Sequence, residues 1–346
     1  MTILAEQVDA VIGVDTHTDT HSAALVTPVG AVVAQRTVPA TPAGYAELIT
    51  WATEHAPGPR LAWALEGTRA HGVGLTRALR AAAAQVVQAP NPPAARRRRH
   101  GKSDPLDAIT AARAVLADDK PPAQPRADGI REDLRTLHIT RRHYTDTRTA
   151  TVNLLKSLIL TADDAIRALL RDRSAAAQVS YLLTGDLPDT DPIRTGLLVD
   201  LARQIRVLDQ HLAANLRQLR QLIRTWMPSL LDQPGIGPVS AATILIAWSH
   251  RGRVRSEAAF AALAGASPIE ASSGRNTRHR LNRGGDRTLN AALHTIAVNR
   301  RRYHQPTIDY TQRRTTEGKT PAETTRCIKR YLARQLYRHL QQHTAA

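Results

Sequence analysis

Short apolar runs alternate with segments of helical composition over the first third of the chain. The runs Val11–Val14, Ser22–Val26 and Ala31–Thr37 predict three strands, with turn residues between the last two. A helix, a fourth strand at Leu61–Leu65, a second helix, a short fifth strand beginning at Val86 and a third helix follow in that order. The pattern therefore predicts an α/β domain.

Beyond a proline-rich linker the pattern becomes helical throughout. Leucine and isoleucine recur at spacings of three and four between Leu198 and Ile223, which predicts one long helix with an apolar stripe of about three heptads. A helix packed on its own domain would show this stripe, and so would a coiled coil that joins two copies of the chain. The sequence leaves both interpretations open.

The order of elements is that of the ribonuclease-H-like fold, so we expect an α/β domain of that type over residues 1–125. We expect an all-α remainder, with a helical coiled-coil region over residues 126–225 and a mainly helical region over residues 226–346.

The last region begins with a glycine-punctuated turn, PGIGP, behind an apolar segment. This pattern is typical of a helix-hairpin-helix, in which Gly235 and Gly237 let a nucleic-acid backbone approach and the amides of the next helix bind a phosphate. A hairpin with a purely structural role would have the same sequence.

The net charge of the chain indicates which class of molecule it binds. The 346 residues contain 47 Lys and Arg against 30 Asp and Glu, a formal net charge of +17, which predicts nucleic acid as the partner. The single cysteine excludes a disulfide framework and a thiolate zinc site. No signal peptide or apolar run of membrane length is visible, so we expect a cytoplasmic, nucleoid-associated protein without a membrane partner.

Four carboxylates fall at the ends of predicted elements. Asp15 follows the first strand, Glu66 follows the fourth, and Asp104 and Asp107 share one face at the start of the third helix. Each alone fits an ordinary cap or surface group, but in this fold all four would converge at one end of the sheet. Close carboxylates repel one another unless cations bridge them, and oxygen ligands favour Mg²⁺ or Mn²⁺. The histidines nearby, at 17 and 21, lie in a loop and a strand and predict no histidine metal site.

Two basic segments accompany this candidate chemistry. The first directly precedes the third helix and contains Arg96, Arg97, Arg98, Arg99 and Lys102. It fits a clamp on a phosphate backbone, and it also fits a solvated loop. The second segment contains Ser272-Ser273-Gly274 followed by five arginines, which are Arg275, Arg278, Arg280, Arg283 and Arg287. Ser-Ser-Gly is a common turn sequence, so the segment fits a turn with no catalytic role. It also fits a nucleophilic serine whose attack on phosphate the arginines assist.

Together these stretches resemble the DEDD-type insertion-sequence transposases, a family related to Piv-type DNA invertases that includes recombinases guided by a structured bridge RNA. The resemblance spans nearly the whole chain, and its matching pieces are Gly13-Val14-Asp15, Leu65-Glu66-Gly67-Thr68, Lys102-Ser103-Asp104-Pro105-Leu106-Asp107-Ala108, Pro234-Gly235-Ile236-Gly237-Pro238, Ser272-Ser273-Gly274 and Arg283-Gly284-Gly285-Asp286. One departure is His17, which stands where many members have a lysine.

The resemblance implies a RuvC-like N-terminal domain, a coiled-coil middle and a C-terminal transposase domain. It implies an acidic, metal-binding tetrad at Asp15, Glu66, Asp104 and Asp107. It further implies that a serine attacks DNA and forms a phosphoserine intermediate at a composite site. By the motif this serine is Ser272, with Ser273 as the alternative.

We therefore expect a transposase that excises and inserts a mobile DNA element. The expected partners are double-stranded DNA, at the element ends and the target, and a structured guide RNA, with the chain acting as a homodimer or tetramer. Two alternatives stay open. One is a metal-dependent nuclease similar to Holliday-junction resolvases, in which the serine is structural, and the other is a non-catalytic nucleic-acid-binding protein.

Overall fold

A computed structural model of the chain describes residues 3–90, 104–118, 125, 128–188, 190–270, 279–280 and 282–343. Its internal contacts divide the chain into two compact units, Met1–Gly129 and Ile130–Ala346. The first unit is mixed α/β and the second is mostly helical, as the pattern predicted. The finer division of the helical part into a middle and a C-terminal region stays a prediction. Among the described helices, none combines the length and the apolar character needed to cross a membrane.

The first unit contains a five-stranded mixed sheet with the strand order β3-β2-β1-β4-β5. Its strands are β1 (Ala10–Thr16), β2 (Thr20–Val26), β3 (Val32–Pro39), β4 (Leu61–Leu65) and β5 (Gln85–Gln88). Strand β2 runs antiparallel to β1 and β3, whereas β4 runs parallel to β1 and β5. Strand β1 continues beyond its predicted end because Asp15 and Thr16 still pair with Ser22 and His21 of β2.

Helices cover both faces of this sheet. They are α1 (Leu4–Gln7), α2 (Pro42–His55), α3 (Val73–Ala81) and α4 (Asp104–Leu116). Alternate residues of β1 face opposite sides, so Val11 belongs to the core under α4 while Ile12 and Val14 belong to the core under α2 and α3.

The approach of α4 to the sheet is unusually close at Gly13. A Cβ atom there would lie 2.0 Å from the carbonyl oxygen of Ala108 and 2.9 Å from the Cβ atom of Ala112. Other residues on this face of the sheet, such as Ala62 and Ala64, also have small side chains, so little separates the sheet from α4. The absence of a side chain at Gly13 therefore lets the start of α4 lie beside the end of β1.

The described part of the second unit contains helices and one short pair of antiparallel strands. Its elements are α5 (Ile130–Leu160), α6 (Asp164–Leu170), α7 (Ala175–Thr184), α8 (Pro192–Trp226), a 3-10 turn (Pro228–Leu230), α9 (Pro238–Trp248), α10 (Glu257–Leu263), β6 (Ile269–Glu270), β7 (His279–Arg280), α11 (Arg287–Tyr303), α12 (Gln305–Thr316) and α13 (Pro321–His343).

Helices α5 and α8 form an antiparallel pair. The side chain of Asn215 donates a hydrogen bond to the carbonyl of Leu137 at 2.9 Å, and Arg148 pairs with Asp209. Residues later in α5 therefore contact residues earlier in α8, as in an antiparallel pair. The predicted apolar stripe is buried towards both of its ends, and its middle is half-buried. Packing within one unit is thus observed for this stripe, and a coiled coil between copies stays a prediction.

The glycine turn that precedes α9 packs against α11. Gly235 has φ +77°, and a Cβ atom there would lie 3.2 Å from the Cγ atom of Arg300. Gly237 is the N-cap of α9, and a Cβ atom there would have nothing within 4 Å. Close packing accounts for Gly235, and the helix-hairpin-helix interpretation stays a prediction.

Candidate functional site

The candidate site begins at the end of β1, where a carboxylate and an imidazole lie on the α4 side of the sheet. Side chains alternate along a strand, so Asp15 shares its face with Gly13, the residue that α4 approaches most closely. His17 follows two positions later, just beyond the strand. Because α4 begins at Asp104, the close packing at Gly13 brings the first turn of this helix to the same place.

His17 bridges two carboxylates from different elements. Its Nε2 atom lies 3.1 Å from Oδ2 of Asp15 and 3.3 Å from Oδ1 of Asp104. One ligand atom from each of these three residues lies within 4.8 Å of the others, and the group could hold a metal ion. Both distances involve the same ring nitrogen, so the imidazole stands between the two acids.

The pKa of the Asp15 carboxyl is raised, chiefly by burial. The residue is only 8% exposed. Burial raises the pKa of the Asp15 carboxyl, and the neighbouring charges of Asp107 and Asp104 raise it further, whereas His17 acts to lower it. Asp107 is thus electrostatically coupled to the site. A divalent cation would stabilise the ionised carboxylates that burial and mutual repulsion disfavour.

Glu66 reaches the same edge of the sheet through its backbone. Its N–H group donates to the carbonyl of Val14 at 3.1 Å, and its carbonyl accepts a hydrogen bond from Oγ1 of Thr16 at 3.0 Å. The residue therefore follows β4 beside the end of β1, as the sequence predicted. The described ligand group holds Asp15, His17 and Asp104, so convergence of all four carboxylates stays a prediction.

His17 lies just beyond β1, in a loop as predicted. No histidine metal site was predicted, whereas the imidazole of His17 lies between two of the predicted acids. The spacing of two from Asp15 was the available signal, because residues at i and i+2 of an extended segment share a face.

Several predicted residues lie outside the described part of the chain. They are Arg96, Arg97, Arg98, Arg99, Lys102, Ser272, Ser273, Arg275 and Arg278, and Arg280 is described only as a residue of β7. Arg283 and Arg287 are described and exposed.

The Gly-Gly-Asp sequence behind the serine segment has a clear structural role. Asp286 is the N-cap of α11, and its Oδ1 atom accepts from the backbone N–H groups of Thr288 and Leu289 at 2.8 and 3.0 Å. Gly285 has φ +92°, and a Cβ atom there would lie 2.6 Å from the carbonyl oxygen of Leu263. This segment therefore begins α11 tightly against the end of α10.

Comparison with protein families matches both units. Residues 12–162 match the model of DEDD-type IS110 transposases, described as Transposase, and residues 227–312 match the model described as Transposase IS116/IS110/IS902 family. A search of curated proteins found no match.

The α/β unit, its acidic site and these matches define a DEDD-type DNA transposase, an enzyme of recombination that acts on DNA. The chain belongs to the IS110 family of insertion-sequence transposases.

Proposed function

We propose that the protein excises and inserts the DNA of an insertion sequence through a phosphoserine intermediate, with a divalent metal ion at the acidic site and a bridge RNA as guide. The observation that carries most weight is the placement of Asp104 and His17 around the buried carboxylate of Asp15. Such an arrangement of charge serves phosphate chemistry better than it serves stability, because a buried carboxylate close to other acids is costly.

The topology of the first unit supports a RuvC-like, ribonuclease-H-like domain. Three antiparallel strands lead into two parallel ones, and β1 lies at the centre of the order β3-β2-β1-β4-β5. This arrangement brings the carboxyl ends of β1 and β4 together, with Asp15 and Glu66 at that edge. Helix α4 then supplies Asp104 and Asp107 from its first turn.

The residues present fit Mg²⁺ or Mn²⁺. Two carboxylates and one imidazole lie within reach of a common point, and Glu66 and Asp107 would complete the ligand set. When bound, the ion neutralises charge on the scissile phosphate and on the oxygens that exchange at phosphorus. Asp15 and Asp104 would hold the ion, and His17 would add a nitrogen ligand and fix the spacing of the two carboxylates.

The proposed covalent step uses Ser272, with Ser273 as the alternative. The serine Oγ forms a bond to phosphorus while the bond from phosphorus to one sugar oxygen breaks. The proton lost by the serine is balanced by the proton that the departing sugar oxygen gains, so the DNA strand ends in a free hydroxyl. Attack of another strand's hydroxyl reverses this exchange and releases the serine. Each bond broken is replaced by an equivalent one, so no external energy source is needed.

Two polyanions would account for the net charge of +17. Twelve aromatic residues, four Trp, seven Tyr and one Phe, are few for a protein that reads bases by stacking. A guide RNA that reads sequence by pairing, while the protein holds backbones, fits this composition. A composite site that takes residues from two copies would require a homodimer or tetramer.

A recombination assay with element-end DNA, target DNA and guide RNA tests the proposal. We expect Ser272→Ala and Asp15→Asn to abolish recombination, and Ser273→Ala to retain it. A covalent protein–DNA adduct should form with wild type and disappear with Ser272→Ala. If Ser273→Ala is the inactive variant, the nucleophile is Ser273.

Two other results would contradict the mechanism. Full activity of both serine variants together with Asp15→Asn would exclude it altogether. Metal-dependent cleavage that needs Asp15 but neither serine would show a structure-specific nuclease instead. A variant away from the site, Arg203→Gln on α8, is the matched control and should recombine normally.

A further inference from the structure

Helix α8 presents three arginines on one exposed side near its C-terminal end. Arg217, Arg220 and Arg224 are exposed and, with Gln221 and Thr225, line an open depression on the surface. The helical repeat of 3.6 residues sets this side opposite the buried face that packs towards α5 and α9. We call Arg217, Arg220 and Arg224 the α8 arginine face.

The arginine face differs from two other arginines of the same helix, Arg194 and Arg203, in its lack of acidic partners. Arg203 pairs with Asp200 at 2.8 Å, and Arg194 pairs with Asp191 at 3.4 Å. Among the described residues, the three arginines of the face have no ion-pair or hydrogen-bond partner for their side chains. Helix α8 also contains no acidic residue beyond Asp209.

The unpaired charges of the arginine face destabilise the folded protein when no partner is bound. Like charges three and four positions apart on a helix repel one another, and only Arg224, in the last turn, gains from the helix dipole. An anionic partner outside the described residues would reverse the sign of this electrostatic contribution. Among its described lining residues, the depression has no aromatic side chain on which successive bases could stack, so the phosphate backbone is the surface that complements its three positive charges.

We propose that the α8 arginine face binds the phosphate backbone of duplex DNA without reading its sequence. The three residues extend over about 10 Å of helix axis, which is about three phosphate steps along one strand of a duplex. Guanidinium groups bind phosphate oxygens well, and such contacts position the DNA rather than specify it. The inference depends on the chain acting on DNA, as proposed above, but not on the serine chemistry.

The salt dependence of DNA affinity tests the inference. The full-length protein and a triple variant, Arg217→Gln, Arg220→Gln and Arg224→Gln, are titrated onto a labelled random-sequence duplex of about 30 base pairs between about 50 and 200 mM salt. Glutamine keeps helix propensity, so the fold should tolerate the change. We expect the slope of log affinity against log salt to fall in magnitude by about 2 to 3, with affinity at least about tenfold weaker at the lower salt.

Arg203→Gln is the matched control, because this arginine lies on the same helix but already has an acidic partner. Its slope should change by well under one unit. A triple variant with the wild-type slope and an unchanged melting curve would overturn the inference and leave the serine mechanism untouched. Normal DNA binding with weakened binding to an RNA duplex of equal length would overturn the assignment to DNA. If Ser272→Ala loses recombination but keeps the wild-type slope of log affinity against log salt, the serine chemistry and DNA binding by the arginine face are shown to be separate.

Discussion

The Nε2 atom of His17 lies 3.3 Å from Oδ1 of Asp104, which joins the end of β1 to the first turn of α4. The same nitrogen lies 3.1 Å from Asp15. The imidazole therefore stands between two carboxylates, and one ligand atom from each of the three residues lies within 4.8 Å of the others. This relationship makes His17 the residue through which the metal site is best examined.

Substitution His17→Ala should weaken divalent metal binding by about tenfold or more, because a nitrogen ligand and the spacer between two carboxylates are both lost. Titration of Mn²⁺ into the full-length protein, followed by electron paramagnetic resonance of the free ion, measures the change without recourse to activity. His55→Ala is the control, since His55 bonds only within α2 and lies outside the ligand group. Equal affinities for wild type and His17→Ala would remove His17 from the site.

Substitution Gly13→Ala should destabilise the protein by about 1–3 kcal/mol, because a methyl group cannot fit 2.0 Å from the carbonyl oxygen of Ala108. Since α4 must move away, Mn²⁺ affinity should fall as well. Chemical denaturation measures the first effect and metal titration the second.

The control for this substitution is Gly196→Ala on α8, where a Cβ atom would have nothing within 4 Å. Removing a glycine from a helix interior should stabilise the protein by about 0.5–1 kcal/mol. A stable Gly13→Ala variant with unchanged metal affinity would show that α4 does not need its close approach.

Acidification should destabilise the second unit through His138. Burial lowers the pKa of this imidazole, and the charges of Arg142 and Arg141 lower it further. The folded protein therefore favours neutral His138, which hydrogen-bonds Oγ1 of Thr243 at 3.0 Å. Because the folded pKa lies below the unfolded one, this contribution is complete above about pH 6.5 and is lost as the pH falls below it.

The urea midpoint measured at about pH 7.5 and about pH 5.5 tests this expectation, since that interval brackets the unfolded pKa of histidine. Wild type should lose stability on acidification, and His138→Gln should lose less. His294→Gln, at an exposed position on α11, should behave as wild type does. An identical pH dependence in all three proteins would refute the role of His138.

Substitution Arg300→Ala should destabilise the protein by about 2 kcal/mol or more, because Arg300 is 4% exposed and its Nε atom donates to the carbonyl of Pro234 at 2.7 Å. Truncation leaves that carbonyl without its donor and opens a cavity beside the glycine turn. Arg302→Ala, at an exposed position on the same helix, should change stability by less than about 0.5 kcal/mol. Thermal unfolding compares the two variants, and equal melting temperatures would rule out this stabilising role of Arg300.

The local pattern of apolar and polar residues was sufficient to predict most strands and helices of the first unit. The bounds of β4 and the start of α4 at Asp104 follow from apolar runs and from Pro105 in the first helical turn. The pairing of β1 with β2 extended the strand past Asp15, and only a neighbouring strand could decide that.

The sequence by itself determined the order of strands and helices in the α/β unit, the helical remainder and the basic charge. It also placed acids after β1 and β4, because the periodicities and the ends of strands and helices are local properties of the sequence. Tertiary structure alone decided that His17 stands between Asp15 and Asp104, and that Gly235 packs against Arg300. It also decided that the three arginines of α8 lack counter-charges among the described residues. These relationships depend on which distant segments come together, and residue spacing along the chain carries no direct record of that.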